Sequence, residues 1–373
     1  RSWTRQEISP TKPTMTSPYY SSAVWGIFST IATVYSLISH ATLGLLYPCG
    51  TRIQKSLPSL PNATPDVIGP VAIITGCNTG IGLETTRGLV KRGYTVILAC
   101  RSREKAMEAT AGISGPGKVD FVHPLDLSAF DSVKDFAEAV RHKYDHIDLL
   151  INNAGRNTSG RSEKNLDLCF QTNFLGHFLL TQQLLPLLMK AKEGRIINLA
   201  SVMHHFCRDS ISHDYQYWID CARYHTEPRS TYSPSKLAAI LFTVALRQRY
   251  PKLSTIAVNP GSVNSDIWRT FPRFVIPLFR LIFLDTVQGS MCSLAAALLP
   301  STDLPLYLQP YWIPFSKDSA PHPIFEMLGL FAGYVPTSPR LPSDGGIFEA
   351  NSLWKASEEL TQCKFPVATE FHQ

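Results

Sequence analysis

From Pro13 to Thr51 the chain carries no Asp, Glu, Lys or Arg, a run of 39 residues. Within it AVWGIFSTIATVYSLISHATLGLLY (Ala23–Tyr47) exceeds the roughly 20 apolar helical residues that cross a bilayer. The pattern predicts a membrane anchor over residues 23–47, preceded by an extension, residues 1–22, expected to be disordered. Several Ser and Thr and His40 lie inside the run, so a cleaved leader and a helix packed on the soluble body are the alternatives. Arg5 and Lys12 on one flank and Arg52 and Lys55 on the other leave its orientation open. The first methionine is Met15, and residues 1–14 are given no structural weight. Prolines then interrupt any regular element, so residues 48–67 read as a linker.

Beyond the linker, short apolar runs alternate with longer amphipathic ones. VAIIT, TVILAC, VDFVHPL, DLLINN, RIINLA and STIAVN read as strands. Helices lie between them, for example Ser128–Tyr144, opened by a capping box of Ser128 and Asp131. This alternation predicts an α/β domain over residues 68–365: a doubly wound parallel sheet of about seven strands with helices on both faces. After Asn259 the rhythm breaks. FPRFVIPLFRLIFL (Phe271–Leu284) is either a core helix or a lid over a greasy substrate. Residues 300–345, rich in proline and aromatics, read as an irregular elaboration with one last strand, so that 265–345 forms a substrate lid, and 366–373 is a tail.

Composition narrows the classes. Of 373 residues 44% are hydrophobic and 17% charged, which describes a globular body with a sizeable core. A net charge of +6 without a dense Lys/Arg block gives nucleic-acid binding little support. Eight cysteines without a CxxC or Cys/His cluster read as reduced, mostly buried thiols, with no metal site expected.

The candidate chemistry starts at VAIITGCNTGIGLETTRGLV, which sets Gly76, Gly80 and Gly82 between a strand and a helix. Gly76 suits the tight exit from the strand, Gly80 lets backbone approach a pyrophosphate, and Gly82 lets helix and sheet pack closely. The phosphates would face the unpaired N–H groups of the helix N-terminus, the arrangement of Rossmann-type dinucleotide sites. At the end of the second strand stands ACRSREK, where Arg101 and Arg103 suit the 2′-phosphate of NADP(H) better than a bare ribose. Asp126 after the third strand either reaches the adenine edge or is a turn residue.

The motifs continue in order: NNAG (Asn152–Gly155), INLAS (Ile197–Ser201), YSPSK (Tyr232–Lys236) and NPGSV (Asn259–Val263). With TGCNTGIG (Thr75–Gly82) they resemble the short-chain dehydrogenase/reductase family over roughly residues 68–300. GCNTGIGLETTRGL, ACRSREK, FLGHFLLT, SVMHH and a C-terminal LWKASEEL look most like its retinol dehydrogenase subgroup and related membrane or lipid-droplet reductases. The resemblance implies cofactor contacts at Thr75, Gly76, Asn78, Thr79, Gly80, Ile81, Gly82, Arg101, Asp126, Leu127, Asn153, Ala154, Gly155, Pro260, Gly261, Val263 and Ser265. It implies catalytic roles for Ser201, Tyr232, Lys236 and Asn173, with Tyr232 and Lys236 also touching the cofactor. Two departures stand out: 31 residues separate Ser201 from Tyr232, wider than in the simplest members, and residues 300–345 exceed the usual length. His204 and His205 then read as pocket or insertion-loop residues rather than catalysts.

A spacing of four puts Tyr232 and Lys236 on one helix face, one turn apart. The expectation is that the ammonium and an oxidised nicotinamide lower the tyrosine from its usual pKa near 10. As the resemblance implies, Tyr232 would then exchange a proton with the substrate oxygen, Ser201 would polarise that oxygen, Lys236 would hold the nicotinamide ribose, and Asn173 would complete a proton relay through water. The expected enzyme is an NADP(H)-dependent oxidoreductase, preferring NADP(H) over NAD(H), on a lipophilic carbonyl or alcohol such as retinal or a long-chain aldehyde. A sterol or ketosteroid reductase is the alternative, and a catalytically silent NADP(H)-binding membrane or lipid-droplet scaffold is the reading of another class. The expected setting is an endoplasmic reticulum or lipid-droplet surface with the catalytic domain facing the cytosol, a homodimer being one assembly open to it.

Overall fold

The computed structural model describes residues 69–207, 213–224, 231–264, 284–312, 331–337, 339, 341 and 344–371. These fall within one compact unit, Gly50–Gln373. The expected extension, anchor and linker lie outside the described residues, as do Ser265 and residues 271–283 of the apolar lid segment. Among the described residues no helix is long and apolar enough to cross a membrane.

Eight strands form one sheet: β1 (Val71–Thr75), β2 (Thr95–Ala99), β3 (Lys118–Asp120), β4 (Leu149–Asn152), β5 (Arg195–Leu199), β6 (Ser254–Val258), β7 (Tyr307–Trp312) and β8 (Phe331–Thr337). Their order is β3-β2-β1-β4-β5-β6-β7-β8. The first seven run parallel and β8 returns antiparallel along β7, with Tyr307 opposite Thr337. The chain reverses its winding between β1 and β4, and in such sheets ligands bind beyond the carboxyl ends of the strands at that point. β1, β2, β4 and β5 are buried along their whole length, which is why they read as continuous apolar runs instead of alternating ones.

Helices cover both faces. α1 (Gly80–Val90), α2 (Arg103–Thr110) and α7 (Thr286–Leu298) pack on one side with Leu89, Ala106 and Cys292. On the other lie α3 (Phe130–Lys143), α4 (Gly176–Lys190), α6 (Tyr232–Arg249) and α8 (Ile347–Thr361). α3 shows the reason plainly: Phe130, Val133, Phe136, Ala137 and Val140 recur at helical spacing and are all buried. α4 is entered through a short turn, Leu168–Phe170, and a π-helical turn, Gln171–Leu175. The insertion between β5 and α6 contains a 3-10 turn (Val202–Phe206) and α5 (Tyr215–Arg223), whose buried Trp218 stacks on Phe170 at 6.2 Å. Trp354 of α8 closes an aromatic cluster, 5.4 Å from Phe178 and 4.4 Å from Phe365.

Three local expectations are corrected. The Ser128–Asp131 capping box does not form: Ser128 gives its hydroxyl and backbone N–H to Asp126 Oδ1 at 2.6 and 2.9 Å, and α3 starts only at Phe130 behind Ala129. The third strand stops at Asp120 instead of running to Leu125. There the Asp120 carboxylate is bound by Lys143 at 2.6 Å and by the Tyr144 hydroxyl at 2.5 Å, and Pro124 beyond has no N–H to donate. The late elaboration contributes two strands, β7 and β8, where one was expected.

Candidate active site

β1 ends at Thr75, and the chain turns out of the sheet at Gly76 with φ +65° and enters α1 at Gly80 with φ +57°, both left-handed conformations that favour glycine. Gly82 serves close packing: a Cβ there would stand 2.3 Å from the Gly76 carbonyl oxygen and 2.6 Å from Asn153 Nδ2. Gly82→Ala is therefore expected to destabilise the fold by about 1–3 kcal/mol and to displace the glycine loop. Chemical unfolding and dinucleotide fluorescence titration would check it, and unchanged values in both would refute the packing role. The first turn of α1 holds no acidic residue, and the Thr79 side chain does not cap the helix. The helix dipole is thus offered to an anion without an internal counter-charge.

The NNAG segment supports this loop. Asn153 Nδ2 donates to the Thr75 carbonyl at 2.7 Å, and the backbone N–H groups of Asn153 and Ala154 both donate to Thr75 Oγ1 at 2.9 Å. Val263 of NPGSV lies against the same turn: a Cβ on Gly289 of α7 would meet Val263 at 2.5 Å and Ile81 at 3.3 Å. Arg101 stands exposed just past β2, and Arg103 lies over the Phe121 ring at 5.6 Å. Asp126 is held in the turn after β3: its carboxylate accepts from Ser128, and its N–H donates to Ser132 Oγ at 3.0 Å. Leu127 is buried, its carbonyl so close to Gly176 that a Cβ there would come within 2.4 Å.

The four expected catalytic residues come together from three elements. Ser201 follows β5, Tyr232 and Lys236 share the first turns of α6, and Asn173 lies in the π-helical turn before α4. Ser201 hydrogen-bonds the Tyr232 phenol. Lys236 is 5% exposed and donates from Nζ to the Leu199 carbonyl at 2.8 Å. Its Nζ lies 5.6 Å from the Tyr232 ring centroid. A Cβ on Gly155 would sit 3.6 Å from both Lys236 Nζ and Asn173 Oδ1. Asn173 clamps the loop after NNAG from both sides, accepting from Arg156 N at 2.8 Å and donating to the Arg156 carbonyl at 2.9 Å. It also donates to Ser235 Oγ at 3.0 Å. His204 is buried and donates from Nδ1 to the Ser201 carbonyl at 2.7 Å, a place in the wall beside the site.

The electrostatics differ from expectation. Burial pushes the Tyr232 phenol well above its usual value, and the opposing hydrogen bond comes from Ser201, not from Lys236. The lysine's own charge is penalised, burial drawing it down to about 8, with Cys169 opposing. The protein by itself therefore holds a neutral phenol, which is a proton donor, next to a lysine whose charge is finely balanced.

Two connections were not legible beforehand. Asp167, wholly buried, caps Phe170 N at 2.7 Å at the start of the segment bearing Asn173, and accepts the hydroxyl of Thr231, the residue before Tyr232. His177, fully buried on α4, donates from Nδ1 to the Asn173 carbonyl at 2.9 Å, and its Nε2 meets Thr75 Oγ1 at 2.8 Å. Burial holds His177 down to about 4, so it is neutral and Thr75 donates to Nε2. A polar chain thus links the end of β1 to the segment carrying Asn173. The only sequence signal was the four-residue spacing of Asn173 and His177, the same spacing that joins Tyr232 to Lys236.

Residues 153–155 join the loop to the acid/base set, since a Cβ on Gly76 would meet Ala154 at 3.0 Å and Gly155 adjoins Lys236. A phosphate cradle continuous with a serine-bound tyrosine defines a dinucleotide-dependent oxidoreductase. Comparison with known proteins agrees: the family model for short chain dehydrogenases matches residues 70–212. Retinol dehydrogenase 11 of Mus musculus is 37% identical over 264 residues, covering 68% of this chain and 81% of that protein. Retinol dehydrogenase 11 of Homo sapiens is 35% identical over 270 residues, covering 70% and 83%. The crystal structure of an uncharacterized protein from Mycobacterium paratuberculosis aligns with a TM-score of 0.59 at 27% identity, covering 82% of this chain and all of that one. The chain belongs to the short-chain dehydrogenase/reductase family and is an oxidoreductase acting on CH–OH groups.

Proposed function

We propose that the protein reduces a lipophilic aldehyde or ketone, retinal-like or long-chain, with NADPH. The observation that carries this reading is the gathering of Ser201, Tyr232 and Lys236, with Lys236 Nζ 5.6 Å from the Tyr232 ring. Burial favours the neutral phenol, which suits proton delivery in the reductive direction. The bound nicotinamide supplies the hydride. Ser201 orients the carbonyl oxygen by hydrogen bonding, and Tyr232 delivers the proton that the new alkoxide needs. Lys236 holds the cofactor's ribose beside Gly155, and Asn173 fixes the loop that shapes this wall. The glycine loop and the N-terminus of α1 hold the pyrophosphate, and Arg101 meets the 2′-phosphate. A lipophilic substrate is supported by the retinol dehydrogenase relatives and by the apolar sequence at residues 23–47. Together they favour work at an endoplasmic reticulum or lipid-droplet surface, with the catalytic domain on the cytosolic side.

The test is a substrate panel of retinal, decanal and a ketosteroid, followed by NADPH absorbance. Turnover of retinal or decanal is expected. Turnover of the ketosteroid alone would move the assignment to a sterol reductase. Tight NADPH binding with no turnover would replace the enzyme reading by a cofactor-binding scaffold. Arg101→Ala should weaken NADPH by about tenfold or more, as loss of a charge-assisted contact implies, while NADH changes little. Equal losses for the two would overturn the phosphate assignment.

A further inference from the structure

Thr75 and Asn173 hold opposite ends of the loop that follows β4. Thr75 Oγ1 accepts the backbone N–H groups of Asn153 and Ala154, each at 2.9 Å. The Asn173 side chain takes both the N–H and the carbonyl of Arg156, at 2.8 and 2.9 Å. His177 joins these two holders: its Nε2 lies 2.8 Å from Thr75 Oγ1 and its Nδ1 2.9 Å from the Asn173 carbonyl. With the chain from 153 to 156, these bonds close a ring. All three side chains are buried, so a link lost there leaves polar groups without water to replace it.

The bonding capacity of each group fixes the direction of the links. A threonine hydroxyl has one proton and two lone pairs. Both lone pairs of Thr75 are taken by backbone N–H groups, so its proton goes to His177 Nε2; the Ile151 carbonyl, at 3.4 Å, is a poorer acceptor. A carbonyl can only accept, so His177 Nδ1 carries the proton that faces Asn173. The ring is therefore complete with one tautomer of a neutral imidazole, and burial keeps the ring neutral at neutral pH. The turn bearing Asn173 is itself widened, since the Gly176 N–H donates to the Gln171 carbonyl five residues back, and such π turns recur at functional sites.

We propose that His177 is a positioning residue for the reaction: it orients the Thr75 hydroxyl and holds the Asn173 backbone, and through them sets the 153–156 loop. That loop stands between the glycine turn and the acid/base set. A Cβ on Gly76 would meet Ala154 at 3.0 Å, and one on Gly155 would lie 3.6 Å from Lys236 Nζ. A shifted loop changes the spacing between cradle and Tyr232, and transfer steps are sensitive to misplacement on the order of 1 Å. The effect on turnover rests on the proposed carbonyl reduction; the setting of the loop does not.

The experiment uses three variants of the full chain. His177→Leu fills similar space with neither bond. His177→Asn can place an amide nitrogen near the Nδ1 position and keep the bond to Asn173, whereas His177→Gln can place an amide oxygen near Nε2 and keep the bond to Thr75. Hydrogen exchange of the dinucleotide-free proteins, fragmented to separate the amides of Asn153 and Ala154 from that of Arg156, reads the loop directly. His177→Leu should speed exchange at all three by about tenfold or more, while the amides of β2 stay as in wild type. His177→Asn should loosen Asn153 and Ala154 alone, and His177→Gln should loosen Arg156 alone. In steady-state carbonyl reduction, His177→Leu should lower kcat by about tenfold or more with KM within about threefold, the other two falling between. A side chain that merely fills space predicts the reverse ranking, with Asn, the smallest, most damaging and Leu least; that ranking would overturn the proposal. So would unchanged exchange at the three amides in His177→Leu or, should that variant not fold, in the other two. Loosening shared with β2, or the same end loosened by Asn and Gln, would equally refute the ring. A loosened loop with wild-type kcat would remove His177 from the reaction. A wild-type protein without turnover would count against carbonyl reduction alone, because exchange is scored without cofactor or substrate.

Discussion

Tyr232→Phe is expected to lower kcat/KM for carbonyl reduction by about a thousandfold, within the range that a positioned general acid contributes. Dinucleotide affinity should stay within about twofold, since the ring, its packing and Lys236 persist and only the hydroxyl bonded to Ser201 is removed. The pH dependence gives a second, independent reading. Burial raises the phenol above its ordinary value near 10, so the acid needed for reduction is present throughout neutral pH. Alcohol oxidation needs the phenolate, whose population grows about tenfold per pH step below that pKa. Oxidation should therefore climb steadily with pH, while reduction stays flat between about pH 6 and pH 8. Steady-state kinetics in both directions check this. A Phe variant with wild-type turnover, or an oxidation profile that is flat in the same interval, would remove Tyr232 from the proton-transfer role.

Much of this arrangement was legible from local pattern, and the misses have a common physical form. The β1, β2, β4 and β5 runs were readable because strands buried on both faces must be apolar throughout. The glycine loop was readable because Gly76, Gly80 and Gly82 answer steric demands that other residues cannot meet. Competition went unseen: Ser128 could cap α3 or bind Asp126, and only the folded turn decides between them. The ties that position the site were unreadable for a different reason. Asp167 meets Thr231 across 64 residues, and Thr75 meets His177 across 102. Such pairs leave no periodic trace, because each partner only has to be polar in the right place after the sheet has assembled. The effect of burial on Tyr232 in the cofactor-free chain went unseen similarly. A spacing of four brings Tyr232 and Lys236 together, but the ammonium is committed to the Leu199 carbonyl, a partner supplied by β5. The apolar segment at 271–283, expected as either a core helix or a substrate lid, lies outside the described residues.

That commitment of Lys236 makes Lys236→Met the other variant with a large expected effect, and its two consequences have opposite signs. Turnover should fall by about a hundredfold or more, because the ribose loses its cationic partner beside Gly155 and Tyr232 loses the nearby charge. Stability of the cofactor-free protein should move the other way. In the folded state burial lowers the lysine from 10.5 to about 8, so the unfolded chain holds its proton more tightly. Between those values the unfolded state binds more protons than the folded one, and wild-type stability rises with pH. Below pH 8 both states are charged, and the full cost of burying the ammonium is present, on the order of 3 kcal/mol. Its hydrogen bond to the Leu199 carbonyl offsets part of that. The methionine variant carries no such cost. It should therefore be most favoured relative to wild type at pH 7 and lose that advantage progressively between pH 8 and 10.5. Chemical unfolding of both proteins across this range measures the difference directly. A stability difference that does not vary with pH would mean that Lys236 titrates at its ordinary value, and that solvent or a counter-charge reaches it in the folded protein.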